Sequence, residues 1–96
     1  MPLTIKELLK EDFELRIAMN KSERDGFRIY RVTFVVEKEG ATFIRWLPLT
    51  TTFKLLLINS PEVNSYLPYF KRENKSKFEI KLKGDDRLRR LIEQTI

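Results

Sequence analysis

Neither cysteine nor histidine occurs in the 96 residues. Without cysteine there are no disulfides, thiolate metal sites, iron–sulfur clusters or cysteine nucleophiles, a composition that fits an intracellular protein. Without imidazole there is no Ser-His dyad, no zinc site of the usual kind and no side chain with an unperturbed pKa near neutrality. Glycine (3) and proline (4) are few, which argues against a flexible or low-complexity chain. No apolar run approaches the roughly 18 residues that span a bilayer. Met1-Pro2-Leu3-Thr4 leads directly into a charged helical pattern, so neither a signal peptide nor a membrane segment is expected, and the expected location is cytoplasmic.

What is present suits one compact domain, residues 1–96, with hydrophobic content of 42% and a formal charge of +5. The charge is unevenly placed. Residues 1–68 hold ten basic and nine acidic groups, residues 69–84 six and two, and residues 85–96 three and three. A local excess of this kind is the footprint of an anion-binding surface, and also of a solvated strand.

Period and punctuation give the elements. Thr4-Ile5-Lys6-Glu7 is a capping box, and Leu3 with Leu8 has the spacing of a hydrophobic staple, so a short helix is expected over residues 5–10. Phe13, Leu15, Ile17 and Met19 alternate with polar or small residues, the pattern of a half-buried strand. Strands over 27–37 and 41–47 follow, joined at Lys38-Glu39-Gly40. A two-residue turn there would pair Phe34 with Arg45 and mix polar with apolar side chains on both faces. A three-residue loop with Gly40 left-handed pairs Phe34 with Ile44 and Val32 with Trp46. That register puts Tyr30, Val32, Phe34, Val36, Ile44 and Trp46 on the core face. It leaves Arg31, Thr33, Val35, Phe43 and Arg45 outside, joined by Arg16.

Residues 50–68 allow one helix, two helices or part strand: Thr51 or Thr52 can start a helix, Ser60-Pro61-Glu62 is a second start, and Pro68 is expected to end it. A strand over 77–83 and a final helix in which Asp86 can pair with Arg90 complete an α+β fold. The expected order is α-β-β-β-α-β-α, with an antiparallel sheet of four or five strands.

Three constellations bear on function. Lys77, Lys81 and Lys83 lie on one side of a strand and could follow a sugar-phosphate backbone; exposed lysines also protect an edge strand from aggregation. Arg16, Arg31 and Arg45 around Phe43 would make a platform for a single strand, guanidinium on phosphate and ring on base. The alternative is that Phe43 packs beneath a helix or partner and the arginines pair with acids such as Glu14. Glu79-Ile80-Lys81 with Pro61-Glu62 has the look of half a Mg²⁺-dependent nuclease site, but Pro61-Glu62 is better read as a helix start. No enzyme activity and no cofactor are expected.

The run "FELRIAMNKSERDGFRIYRVTFVVEKEGATFIRW", preceded by "TIKELLKED", resembles the first three strands of nucleic-acid-binding OB-fold domains, over about half the chain. The end differs, because "DDRLRRLIEQTI" has a helical pattern where that family has a fifth strand. The resemblance implies a binding face on strands two and three with the first loop, here Arg31, Phe43 and Arg45 with Lys21 and Arg24. The expected partner is single-stranded DNA or RNA. The alternative is a small protein-interaction module, such as a phage or mobile-element accessory protein acting on a host factor through Val35 and Phe43 or Tyr66 and Tyr69. A homodimer through a sheet edge is compatible with both.

Overall fold

The computed structural model describes residues 3–21 and 26–96. A short helix α1 (Ile5–Leu8) precedes three strands, β1 (Glu14–Lys21), β2 (Phe27–Lys38) and β3 (Ala41–Trp46). Two helices follow, α2 (Thr51–Ile58) and α3 (Pro61–Arg72), then β4 (Lys77–Lys83) and α4 (Asp86–Thr95). The result is an α+β domain with one antiparallel four-stranded sheet in the order β3-β2-β1-β4. Among the described residues no helix is long and apolar enough to cross a membrane.

Each of these helices starts where a side chain can accept from one of the free N–H groups of its first turn. The Thr4 hydroxyl accepts from the Glu7 amide while the Thr4 amide donates to the Glu7 carboxylate, the expected capping box. Thr50, Ser60 and Asp85 cap α2, α3 and α4 in the same way. Residues 50–68 therefore form two helices. Pro68 does not end the second, as the sequence pattern predicts; α3 runs through it to Arg72. Pro68 is exposed, so the carbonyl it leaves without a helical donor, that of Asn64, can turn to water. Packing holds the last turn: the Phe70 ring stacks on Phe78 of β4 at 3.7 Å.

All four helices serve one face of the sheet. Leu15, Ile17 and Met19 of β1 meet Val32, Phe34 and Val36 of β2, Ile80 and Leu82 of β4, and Phe53, Leu57, Val63, Leu88 and Ile92 from the helices. The approach of α4 is set at Gly84, whose amide donates to the Phe13 carbonyl at 2.7 Å; a Cβ on Gly84 would lie 2.6 Å from the Phe13 ring.

The β2–β3 register differs from the expectation by one residue. Phe34 lies opposite Arg45, Thr33 opposite Trp46, Val35 opposite Ile44 and Val36 opposite Phe43. The turn is the two-residue one, with Glu39 at φ 51° and Gly40 at φ 79°. Two successive left-handed residues give the turn whose twist matches that of the strands it joins. Gly40 is thus left-handed as predicted, but so is Glu39. Since directly opposed residues share a face, the slip turns all of β3 over. The mixing of polar and apolar side chains is tolerable because β3 is an edge strand. Its inner side reaches only the rim of the core, where Arg45 lays its stem down and donates from Nε and Nη2 to the Leu3 carbonyl at 3.2 and 2.8 Å.

Candidate ligand-binding face of the sheet

The face without helices is built from cross-strand rows. One row reads Trp46, Thr33, Arg16, Lys81 from β3 to β4, and the next Ile44, Val35, Glu14, Lys83. Farther along, Arg31, Ala18 and Glu79 make a third row, and Arg28, Asn20 and Lys77 a fourth. At about 4.8 Å per strand, Trp46 and Lys81 stand roughly 14 Å apart at the Cα positions.

The face is therefore graded. Its β3 side is apolar, with Trp46 72% and Ile44 48% exposed above Val35 at 4%. Its β1 and β4 side is basic. The four rows carry six cations, Arg16, Arg28, Arg31, Lys77, Lys81 and Lys83, against two carboxylates, Glu14 and Glu79.

Among the described residues, two of the cations have partners. Arg16 Nε donates to Glu14 Oε2 at 3.0 Å, and Arg31 Nη2 lies 3.7 Å from Glu79 Oε2. Both pairs are more than a third exposed, where such pairs contribute little and can exchange one acid for another. Among the described residues, Lys77, Lys81 and Lys83 have no carboxylate within 4.0 Å.

A β-bulge assembles the second half of the face. Ala18 pairs with Arg31 and Met19 with Ile29, leaving Tyr30 as the extra residue. Beyond the bulge Thr33 and Val35 face outward with Arg31; before it, Arg28 and Tyr30 do, because Phe27 and Ile29 turn to the core. The inserted residue changes the parity of β2 and so brings Arg28 to the side of Arg31. Tyr30, expected in the core, is 41% exposed, with the Arg31 guanidinium 5.8 Å from its ring centre.

The predicted site residues divide. Arg16, Arg31, Lys77, Lys81 and Lys83 are together on this face. Phe43 and Arg45 are on the other: Phe43 is half-buried against the core, the Arg45 guanidinium 5.8 Å from its ring centre. Lys21 lies opposite Phe27 on the helix side and reaches Asn74 Oδ1 at 3.4 Å. Arg24 lies outside the described residues. The carboxylates of the nuclease-like pattern are apart and engaged, Glu79 with Arg31 and Glu62 with Arg87 at 2.6 Å. On α4, Asp86 meets Arg89 rather than Arg90, and Arg89 also donates to the Leu9 carbonyl, so this arginine is part of the fold.

Trp46 and Arg28 are the residues that sequence reasoning missed. The signal for Trp46 is the two-residue turn at Glu39-Gly40, which the mixed faces it produces argue against in the sequence; Arg28 depends on a bulge that no residue pattern announces. The chain matches no protein-family model, no curated protein and no solved structure.

Proposed function

We propose that the protein is a non-enzymatic binding domain for single-stranded DNA or RNA, acting inside the cell, with the open sheet face as its surface. The observation that carries this reading is the row Trp46, Thr33, Arg16, Lys81, which runs from an exposed indole to an exposed ammonium across the sheet. An indole is a stacking platform for any base, and Arg16 and Arg31 hold weak surface pairs that a phosphate can displace. Lys77, Lys81 and Lys83 form the electrostatic rim along β4. The OB-like resemblance points to the same strands, with Trp46 in the stacking role in place of Phe43.

A second reading has its own support. Trp46 and Ile44 are neighbours on an edge strand above buried Val35, the beginning of an apolar patch of the kind partner proteins cover. In a protein-interaction module these two, rather than Val35 and Phe43, would be the contact.

Trp46 is the sole tryptophan, so its emission reports directly on this face. Titration with oligo(dT), oligo(U) and a duplex at two salt concentrations should quench it with the single strands, less so at higher salt. No quenching and no retention of any nucleic acid at low salt would leave the protein-interaction reading in its place.

A further inference from the structure

β2 is longer than its partner. Register with β3 begins at Thr33, and only the Val32 carbonyl is used beyond it, by the Leu47 amide. Pro48 follows and has no N–H with which to extend the pairing. Among the described residues, the edge of 27–31 that faces away from β1 has no strand against it. Such an edge, about 17 Å long at 3.3 Å per residue, is a template for another extended chain.

α2 lies beside this edge without closing it. Thr51, Lys54, Leu55 and Ile58 have the spacing of one helical stripe, and they line a groove of about 280 Å³ with Phe27, Arg28 and Ile29 of β2. The buried residues Phe53 and Leu57 lie on a different side of the helix, in the core. Leu55 is 55% exposed. The groove therefore has the edge of 27–31 as one wall, a helix stripe that is apolar at Leu55 and Ile58 as the other, and Ile29 as part of its floor. Its two ionisable groups, Arg28 and Lys54, are both cationic, and among the described residues neither has a carboxylate within 4.0 Å.

We propose that this groove binds an extended segment of a partner protein by strand addition to residues 27–31. The segment would carry an apolar side chain for the Leu55–Ile58 wall, flanked by carboxylates for Arg28 and Lys54. Main-chain hydrogen bonds supply the general affinity of this mode and the pockets for alternate side chains its selectivity. The groove shares Arg28 with the open sheet face, but its strand edge and its α2 wall lie outside that face, so the proposal does not depend on what the face holds.

The test uses the whole chain and a fluorescent, end-blocked hexapeptide alternating valine and aspartate. Polarisation should show saturable binding, and amide exchange should slow at 27–31. Leu55→Asp and Lys54→Glu should each weaken binding about tenfold or more, the scale of one lost contact. Both positions lie outside the core, Leu55 exposed and Lys54 half-buried, so neither substitution is expected to unfold the protein. A peptide of valine and lysine should bind Lys54→Glu better than the unchanged protein. A valine-aspartate peptide with alternate amides methylated should not bind, since it cannot complete the ladder. The proposal is overturned by the absence of saturable binding at about 1 mM probe, the weak end of specific recognition. It is equally overturned by affinity indifferent to both substitutions, or by protection of 27–31 through dimerisation of the protein without peptide.

Discussion

The two edges of the sheet were built on different instructions. In β4, Phe78, Ile80 and Leu82 turn inward and Lys77, Glu79, Lys81 and Lys83 outward, a strict alternation that allows one face only. In β3, Phe43 and Arg45 turn inward while Ile44 and Trp46 are in water, so an aromatic and a cation share one side and an aliphatic and an indole the other. The difference teaches that alternation fixes a strand only where the wrong face would be costly. At an edge whose inner side meets just the rim of the core, the turn decides.

The sharpest way to break the comparison is to truncate one isoleucine from each edge. Ile80→Ala removes a side chain that is 2% exposed and should cost about 2–5 kcal/mol. Ile44→Ala should change stability by no more than about 0.5 kcal/mol. Urea unfolding of the two variants measures this, and equal losses would mean that β3 has the register predicted from its sequence.

Trp46→Ala and Phe43→Ala separate the two faces of β3. The first should weaken single-strand binding by roughly 1–3 kcal/mol with little effect on stability; the second should lower stability and leave binding unchanged. Titrations by polarisation, beside thermal melts, would expose a reversal. Lys81→Ala, on the opposite edge, should give a smaller loss of affinity together with a salt dependence shallower by about one phosphate contact.

The turn can be tested by itself. Gly40→Val should cost about 1 kcal/mol or more, because a β-branched residue is strained at positive φ. Glu39→Asn should gain up to about 1 kcal/mol, since asparagine tolerates the left-handed region better than glutamate. In the three-residue loop Glu39 would be right-handed and the substitution would gain nothing, so this pair of melts reads the register directly.

The smallest effect concerns acid. The Thr4 backbone N–H, then its hydroxyl, hold the Glu7 carboxyl below its ordinary value near 4.5. A lowered folded-state pKa adds stability above pH 4.5 that is lost as pH falls through the folded value. Because the capping box anchors the segment whose Leu3 carbonyl accepts from Arg45, acid should loosen the β3 rim before it touches β4. Amide exchange at Arg45 and Ile80 across that range would show the order, and Glu7→Gln should abolish the difference.

These contrasts also mark what could be read from the sequence. The capping box, the inward residues of β1 and β4, the proline-led start of α3 and the outward position of Arg16, Arg31 and the three lysines followed from period and side-chain chemistry. The inversion of β3 did not, because the Glu39-Gly40 turn that sets it also turns Arg45 inward, and the Leu3 carbonyl that receives Arg45 is 42 residues away in sequence. Nor did the outward turn of Arg28, which needs an inserted Tyr30. The helix through Pro68 was hidden for a related reason: the stacking of Phe70 on Phe78 outweighs a local preference.

The position of β4 beside β1 has a consequence in time. β1, β2 and β3 are neighbours in sequence and can pair as soon as they are made, whereas β4 must return to β1 across α2 and α3. Contacts that distant form late and slowly. On the ribosome the meander would therefore wait with one edge of β1 bare and Leu15, Ile17 and Met19 only partly covered, until the lysine-studded strand emerges and seals it. That interval, rather than the finished fold, is where this chain is most exposed to aggregation.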